Sequence, residues 1–323
     1  MGPVSPLVSI IIPCRRIEAY EKESIEGCLA LKWTNIEILL LPDEIQESYD
    51  YPSKVRIIPT GKIKPAIKRN IGIQHASGEY IAFLDSDAYP IPEWLENAIP
   101  LFSDERVGLV GGPSLTPPND DVKRQASGLI LASKIGGGGL ANRYLAGRPT
   151  SVDDIPSSNM ITKKSIMDQL GGFNADYWPG EDTYLCLQIK RDLNKEILYS
   201  PEVVVYHHRR RVFKPHLKQI WGYGTHRGYF AKKFPENSRQ LTYFIPSLFV
   251  LFNAIGIPLA VILPSLFLMP FLVIIGAYFA ACIASGSATR NAKVGLMVIA
   301  GIPLTHVVYG IGFLKGLVSE LKH

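Results

Sequence analysis

Gly78-Glu79-Tyr80-Ile81-Ala82-Phe83-Leu84-Asp85-Ser86-Asp87 reads as a strand that ends in two carboxylates. Tyr80 to Leu84 is an unbroken aromatic and aliphatic run, the pattern of a strand buried on both faces. Open α/β sheets place their ligands beyond the C-terminal ends of their strands, which is where Asp85 and Asp87 fall. Carboxylate oxygens there suit a hard divalent cation, and such a cation keeps waters and substrate phosphates as its other ligands. Asp pairs in loops are often only solvated. With a buried strand leading into this pair, it points instead to a metal-bridged nucleotide diphosphate.

The flanking sequence extends the sheet. Val8-Ser9-Ile10-Ile11-Ile12-Pro13 predicts a first buried strand, with a helical stretch following to about Leu31. Glu37 to Leu41 predicts a second strand, ending in Pro42-Asp43-Glu44, and Lys54 to Ile58 a short third. Lys64 to Ala76 has helical spacing, and Val107 to Gly111 reads as another strand. Strands alternating with helices imply βαβ units and a mainly parallel sheet of the α/β class. The middle, 113–159, is rich in Gly, Ser and Pro and predicts a loop, with Gly136 to Gly139 either a flexible connection or a mobile flap over a substrate. Gly136, Gly138 and Ala141 can be forced onto a dinucleotide-binding pattern. No strand of a first βαβ unit precedes them, so that reading is rejected.

The chain has 323 residues, 47% of them hydrophobic, and the apolar excess is concentrated near the C-terminus. No charged residue occurs from Gln240 to Thr289, and from Val294 to Leu314 only His306 titrates near neutral pH. A span needs ~20 apolar residues, so three are expected, at 243–262, 266–285 and 294–314. Soluble core helices are a poor alternative, because so long a charge-free run would be hard to surround with protein. The first apolar run stops at Pro13 without basic flanks, so no secretory leader is read and residues 1–235 are expected in the cytoplasm. Arg290 and Lys293, between the second and third spans, are placed inside by the excess of cations on cytoplasmic loops. The tail would then be external, which Lys315 and Lys322 oppose, and a re-entrant third segment is the alternative. Cys14, Cys28, Cys186 and Cys282 show no metal or disulfide spacing, in keeping with a reducing compartment.

Further on stands Gly171-Gly172-Phe173-Asn174-Ala175-Asp176-Tyr177-Trp178-Pro179-Gly180-Glu181-Asp182, leading into a helical run. Acidic residues at a helix start can be simple caps. The aromatics and Gly turns beside them suggest a shaped pocket. Taken in order, Ile11-Ile12-Pro13, Lys68-Arg69-Asn70-Ile71-Gly72, Ala76 through Asp87, Gly171-Gly172-Phe173 and Gly180-Glu181-Asp182 resemble an inverting family 2 glycosyltransferase with a GT-A fold. The resemblance covers about residues 8–235. Within the family it is similar to the succinoglycan-type membrane-anchored enzymes, whose Trp/Tyr-Gly-x-Gly segment matches Trp221-Gly222-Tyr223-Gly224.

The resemblance implies a GT-A catalytic domain over 1–235 and a membrane domain over 240–323. It implies that Asp87 and Asp85 hold Mg2+ or Mn2+, with His207 completing the site and His208 as the alternative. A His pair next to Arg209-Arg210-Arg211 can also be a solvated strand end. Asp182 would be the general base on the acceptor hydroxyl. Pro13, Asp43, Lys68, Arg69, Asp85, Glu181 and Trp221 would contact substrate. Two departures stand out. Leu41-Pro42-Asp43-Glu44 replaces the family's Asp-Asp-Gly-Ser turn, leaving Asp43 as the candidate nucleobase contact. Gln219-Ile220-Trp221 does not supply the Gln-x-x-Arg-Trp of processive synthases, which argues for single-sugar transfer.

Residues 205–235 interleave Arg209, Arg210, Arg211, Lys214 and Lys218 with Trp221, Tyr223, Tyr229 and Phe230 ahead of the first span. Such a mix suits a membrane interface, as plain anchoring or as a site for a lipid-linked phosphate. Next to spans, nucleic-acid binding is set aside. The sequence therefore predicts a multi-pass inner-membrane enzyme with its catalytic domain in the cytoplasm. Its expected donor is a nucleotide-diphosphate sugar and its acceptor a lipid-linked or nascent glycan, in surface polysaccharide or glycoconjugate synthesis. A polyprenyl-phosphate glycosyl synthase is one alternative, and a non-catalytic membrane scaffold or transport component another.

Overall fold

The computed structural model describes residues 5–45 and 50–320. The chain forms two compact units, one of Met1–Leu115 with Leu145–His208 and one of Thr116–Tyr144 with Arg209–His323. Within the 1–235 range expected for one domain, both 116–144 and 209–235 group with the C-terminal unit.

The first unit is built on strands β1 (Val8–Pro13), β2 (Ile36–Leu41), β3 (Val55–Ile57), β4 (Tyr80–Leu84), β5 (Ala88–Pro90), β6 (Val107–Gly111), β7 (Ser114–Leu115), β8 (Thr150–Ser151), β9 (Asn159–Lys163), β10 (Glu196–Tyr199) and β11 (Val205–His207). Its helices are α1 (Ala19–Leu29), α2 (Pro65–His75) and α3 (Trp94–Ala98), then α6 (Lys164–Leu170) and α7 (Glu181–Arg191) later in the chain. The main sheet has the order β3-β2-β1-β4-β9-β6-β10-β8. β1 pairs in parallel with both β2 and β4, and β9 runs antiparallel between β4 and β6. This is a mainly parallel, Rossmann-like sheet of the GT-A kind. Side chains two apart share a face. Ile10, Ile12, Ile38, Leu40, Ala82 and Leu84 enter one core layer, while Ile11, Leu39, Leu41, Ile81 and Phe83 enter the other. Burying a large apolar side chain contributes roughly 1.5–3 kcal/mol, so the central strands are apolar throughout because both faces are covered. A second, small sheet has the order β5-β11-β7.

The second unit holds α4 (Val122–Ala132), α5 (Lys134–Gly137), α8 (Lys214–Lys233), α9 (Pro235–Ser238), α10 (Leu241–Ile262), α11 (Pro264–Ser287) and α12 (Ala292–Val318). α10, α11 and α12 are each long and apolar enough to cross a membrane. The loop expected over 113–159 is corrected in part by α4. Asp121 caps this helix, its Oδ1 accepting from the Lys123 and Arg124 backbone N–H groups. Ala126 and Ile130 are buried with Val298 and Ile302 of α12. Composition hid the helix because its apolar face is matched by a partner far along the chain. Gly136 and Gly137 also lie in a helix, α5, rather than in a loop.

His216 of α8 is fully buried, with Nδ1 2.8 Å from Ser127 Oγ and Nε2 2.9 Å from Thr305 Oγ1. Thr305 Oγ1 donates to the Gly301 carbonyl, so it accepts from Nε2–H, and Nδ1 accepts from Ser127. Burial pushes this imidazole down to about 4. α8 and α12 approach closely at glycines. A Cβ at Gly228 would overlap the Phe313 carbonyl oxygen, and small residues permit such contact between helices. Gly228→Ala is expected to cost about 1–3 kcal/mol through overpacking, read as a lowered melting temperature in detergent. An unchanged melting temperature would refute that account of the contact.

Candidate active site

α2 begins at Pro65, suited to a first helical position, and buries Ala66 and Ile73. Between them lie three consecutive polar residues with three separate tasks. Lys68 Nζ donates to the Cys14 carbonyl (2.7 Å), the Leu41 carbonyl (3.2 Å) and Asp43 Oδ1 (2.6 Å). Its three protons are thereby committed to the ends of β1 and β2 and to the turn that carries Asp43. Arg69 donates from Nη2 to Asp85 Oδ1 (2.8 Å) and from Nη1 to Glu181 Oε1 (2.9 Å). Asn70 donates to the Phe173 carbonyl and accepts from the Phe173 N–H, each at 2.8 Å. The turn it clamps requires left-handed backbone at Gly171 and Gly172, with φ of 74° and 81°. A Cβ at Gly172 would press into Asn70 Oδ1.

Lys68 and Arg69, expected at the substrate, are thus 3% and 4% exposed and bound to protein groups. The sequence assigns Asn70 no role. Its partner lies 103 residues away, so no local signal marks it.

Beyond β4, Asp85, Asp87 and His207 each offer a ligand atom, all within 4.8 Å of one another. His207 Nε2 is 3.0 Å from Asp87 Oδ1. The small sheet makes this meeting possible, because antiparallel pairing of β5 with β11 sets His207 opposite Ala88. His208 instead places Nε2 2.8 Å from Glu23 Oε2, its ring beside Tyr20. Two carboxylates and an imidazole, all partly exposed, fit a divalent cation that retains water or phosphate ligands.

Glu181 and Asp182 form the first turn of α7. Asp182 Oδ1 accepts from the Thr183 N–H (2.7 Å), and Oδ2 lies 3.4 Å from the Ser157 N–H. Asp182 is partly exposed, whereas Glu181 is 4% exposed. Burial pushes the Glu181 carboxyl up to about 7, Arg69 pulls it down, and the Asp182 charge adds to the rise. Arg69 therefore joins Asp85, at the end of β4, to the helix start that presents Asp182.

Pro13 closes β1 and is buried. Burial, with the charge of Glu21, pushes the neighbouring Cys14 thiol up to about 12, which removes it as a nucleophile. Asp43 sits in the turn after β2, where its carbonyl accepts from the Gly61 N–H. Trp221 lies on α8 in the second unit, its ring 5.3 Å from Lys315 Nζ.

Residues 9–171 match the model of the family described as "Glycosyl transferase family 2". The pre-mycofactocin glycosyltransferase of Mycobacterium tuberculosis is 29% identical over 180 residues, 55% of this chain and 37% of that protein. The chain therefore spans well under half the length of that relative. A Methanococcus voltae protein is 23% identical over 246 residues, 70% of this chain and 74% of its own. Its name is dolichyl N-acetyl-alpha-D-glucosaminyl phosphate 3-beta-D-2,3-diacetamido-2,3-dideoxy-beta-D-glucuronosyltransferase. Among solved structures, the mannosyltransferase PcManGT from Pyrobaculum calidifontis, in complex with GDP-Man and Mn2+, aligns with a TM-score of 0.55 at 18% identity. That alignment covers 98% of this chain and 88% of the other. At that identity the likeness speaks to the fold.

Proposed function

Because the chain belongs to glycosyltransferase family 2, we propose that it transfers a single sugar from a nucleotide-diphosphate donor to a lipid-linked or nascent glycan acceptor at a membrane, inverting the anomeric centre. The observation that carries this reading is the convergence of Asp85, Asp87 and His207, joined through Arg69 to the Glu181-Asp182 helix start. The name of the Methanococcus voltae relative describes a dolichyl-linked sugar phosphate, which supports a lipid-linked acceptor. Three long apolar helices support membrane association.

In this reading Asp85, Asp87 and His207 hold Mg2+ or Mn2+. Bound there, the cation supplies positive charge against the diphosphate as its bond to the sugar breaks. Arg69 keeps Asp85 turned toward that position, and Lys68 fixes Asp43 at the proposed nucleobase contact. Asp182 takes the proton of the acceptor hydroxyl as that oxygen attacks, and approach from the face opposite the leaving group gives inversion. Pro13 borders the nucleobase site, and Glu181 positions Arg69.

A donor screen on the purified protein with a membrane-lipid extract, following nucleoside diphosphate release, tests the reading. Release should occur with one donor, require Mn2+ or Mg2+, and stop on chelation. Asp87→Asn should weaken metal-dependent donor binding, seen by calorimetry with the nucleoside diphosphate and Mn2+. Undiminished binding in that variant would remove Asp87 from the proposed metal set.

A further inference from the structure

α12 has the length and composition of a third span, but its neighbours in the second unit set it crosswise. α10 and α11 pack as a hairpin with its turn at Leu263, Phe249 stacking on Tyr278 (4.4 Å) and Phe252 on Phe271 (5.3 Å). The open end of this hairpin is marked by Leu241 and Ser287. α12 meets α11 near that end, where a Cβ at Gly295 would lie 2.6 Å from the Gly286 carbonyl oxygen. Midway, the His306 ring lies 6.0 Å from Phe249 and 5.8 Å from Tyr278. Further along, Ser247 Oγ donates to the Gly310 carbonyl (3.1 Å), and Phe313 packs edge-on against Phe244 (4.8 Å). A third span running beside α11 would carry Phe313 toward the hairpin turn. Phe313 is instead back at the start of α10, so both ends of α12 lie at the open end.

α8 settles the orientation. It runs beside α12 in the same direction, from His216 against Thr305 (2.9 Å), through Gly228 against Phe313, to Lys232 Nζ donating to the Ser319 carbonyl (2.7 Å). α8 carries Lys214, Lys218, Arg227, Lys232 and Lys233. A crossing α12 would draw Arg227 into the hydrocarbon, which disfavours charge strongly. The surface of α12 agrees. Leu296, Leu304, Val307, Ile311 and Val318 are exposed at helical spacing, while Val298, Ile302, Thr305, Phe313 and Gly316 are buried. One apolar face is left for a partner, and the other is filled by protein.

We propose that only the α10–α11 hairpin crosses the membrane, and that α12 and α8 lie together in the membrane plane at its open end. The partner is a phospholipid bilayer. The apolar stripe of α12 enters the acyl layer, and the exposed Lys214, Lys218, Lys232 and Lys233 meet lipid phosphates. The hairpin is long enough for this, since helices of 22 and 24 residues extend about 33 and 36 Å against a hydrocarbon core of about 30 Å. The placement does not depend on the proposed reaction. It returns the end of α12 to the side of α8, which accounts for Lys315 near the tail.

Three single substitutions at exposed positions test it in the full chain, namely Lys214→Cys on α8, Ser265→Cys at the hairpin turn and Glu320→Cys beyond α12. The four native cysteines are buried and give a low background. Sealed vesicles that expose α8 are treated with a membrane-impermeant maleimide, and labelling in detergent sets the full signal. Lys214→Cys and Glu320→Cys should label alike, and Ser265→Cys only after detergent. Glu320→Cys protected together with Ser265→Cys would show that α12 crosses, overturning its in-plane placement. Ser265→Cys labelled with the other two would show that the hairpin does not cross, overturning that half of the proposal.

Discussion

Asp182→Asn is expected to lower sugar transfer by ~10²–10⁴-fold, the usual contribution of a positioned general base. Asparagine is nearly isosteric, and its amide oxygen can still accept from the Thr183 N–H that Asp182 engages at 2.7 Å. The helix start should therefore survive, and only the ability to take a proton is lost. Metal-dependent donor binding should persist. The deficit should fall on kcat, as for an interaction made in the transition state. Nucleoside diphosphate release, measured beside donor titration, separates the two quantities. Full turnover in this variant would sink the base assignment. A small loss would indicate an acceptor phosphate that is already ionised and needs no base, the chemistry of a polyprenyl-phosphate acceptor.

Arg69→Met should destabilise the first unit by about 3–5 kcal/mol, because removing one partner leaves a buried charge uncompensated. Both Arg69 and Glu181 have side chains only 5% exposed, and Arg69 is the cation bonded to the Glu181 carboxylate. The loss depends on pH. The Glu181 carboxyl is raised in the folded chain, so its proton is held more tightly there than in the unfolded chain. Its contribution is full below the ordinary carboxylate value of 4.5 and is lost as pH rises through about 7. Without Arg69 the upward push is unopposed, and destabilisation should be larger at pH 8 than at pH 5. Arg69→Met with Glu181→Gln should recover part of the stability, and denaturant midpoints of the four chains complete the cycle. Equal losses at both pH values, with no recovery, would show that Glu181 is not what Arg69 supports. Arg69→Lys should rescue poorly, because a single ammonium lacks the fork that reaches two carboxylates.

The parts of the fold readable from sequence are those fixed by near neighbours. Tyr80 to Leu84 shows its burial in its own composition, and Asp85 and Asp87 follow directly, so strand and carboxylates are found together. His207 is preferred to His208 through the resemblance alone, because the physical distinction lies in the β5–β11 register, which pairs His207 with Ala88. Lys68 and Arg69 stood out as a motif, but their partners are Asp43, Asp85, Glu181 and two strand-end carbonyls. No local pattern links a helix to acids that far off. α4 was hidden for a similar reason, since its buried face is matched by α12. Apolar content marks α12 as long and apolar enough to cross a membrane. Its direction is carried by Phe313 against Phe244 and by its run beside α8.

Lys68, Arg69 and Asn70 also impose an order on synthesis. By the time Asp87 has left the ribosome, β1, β2 and α2 are available and Lys68 can find Cys14, Leu41 and Asp43. Arg69 and Asn70 must still wait for Phe173 and Glu181, and Asp87 for His207. A nascent chain halted before those residues emerge carries the acidic pair without its clasp. Such a chain leaves Arg69 without Glu181 and Asp87 without His207. His207 closes this series and α8 begins at Lys214, so every side chain of the candidate site precedes the three long apolar helices in the order of synthesis.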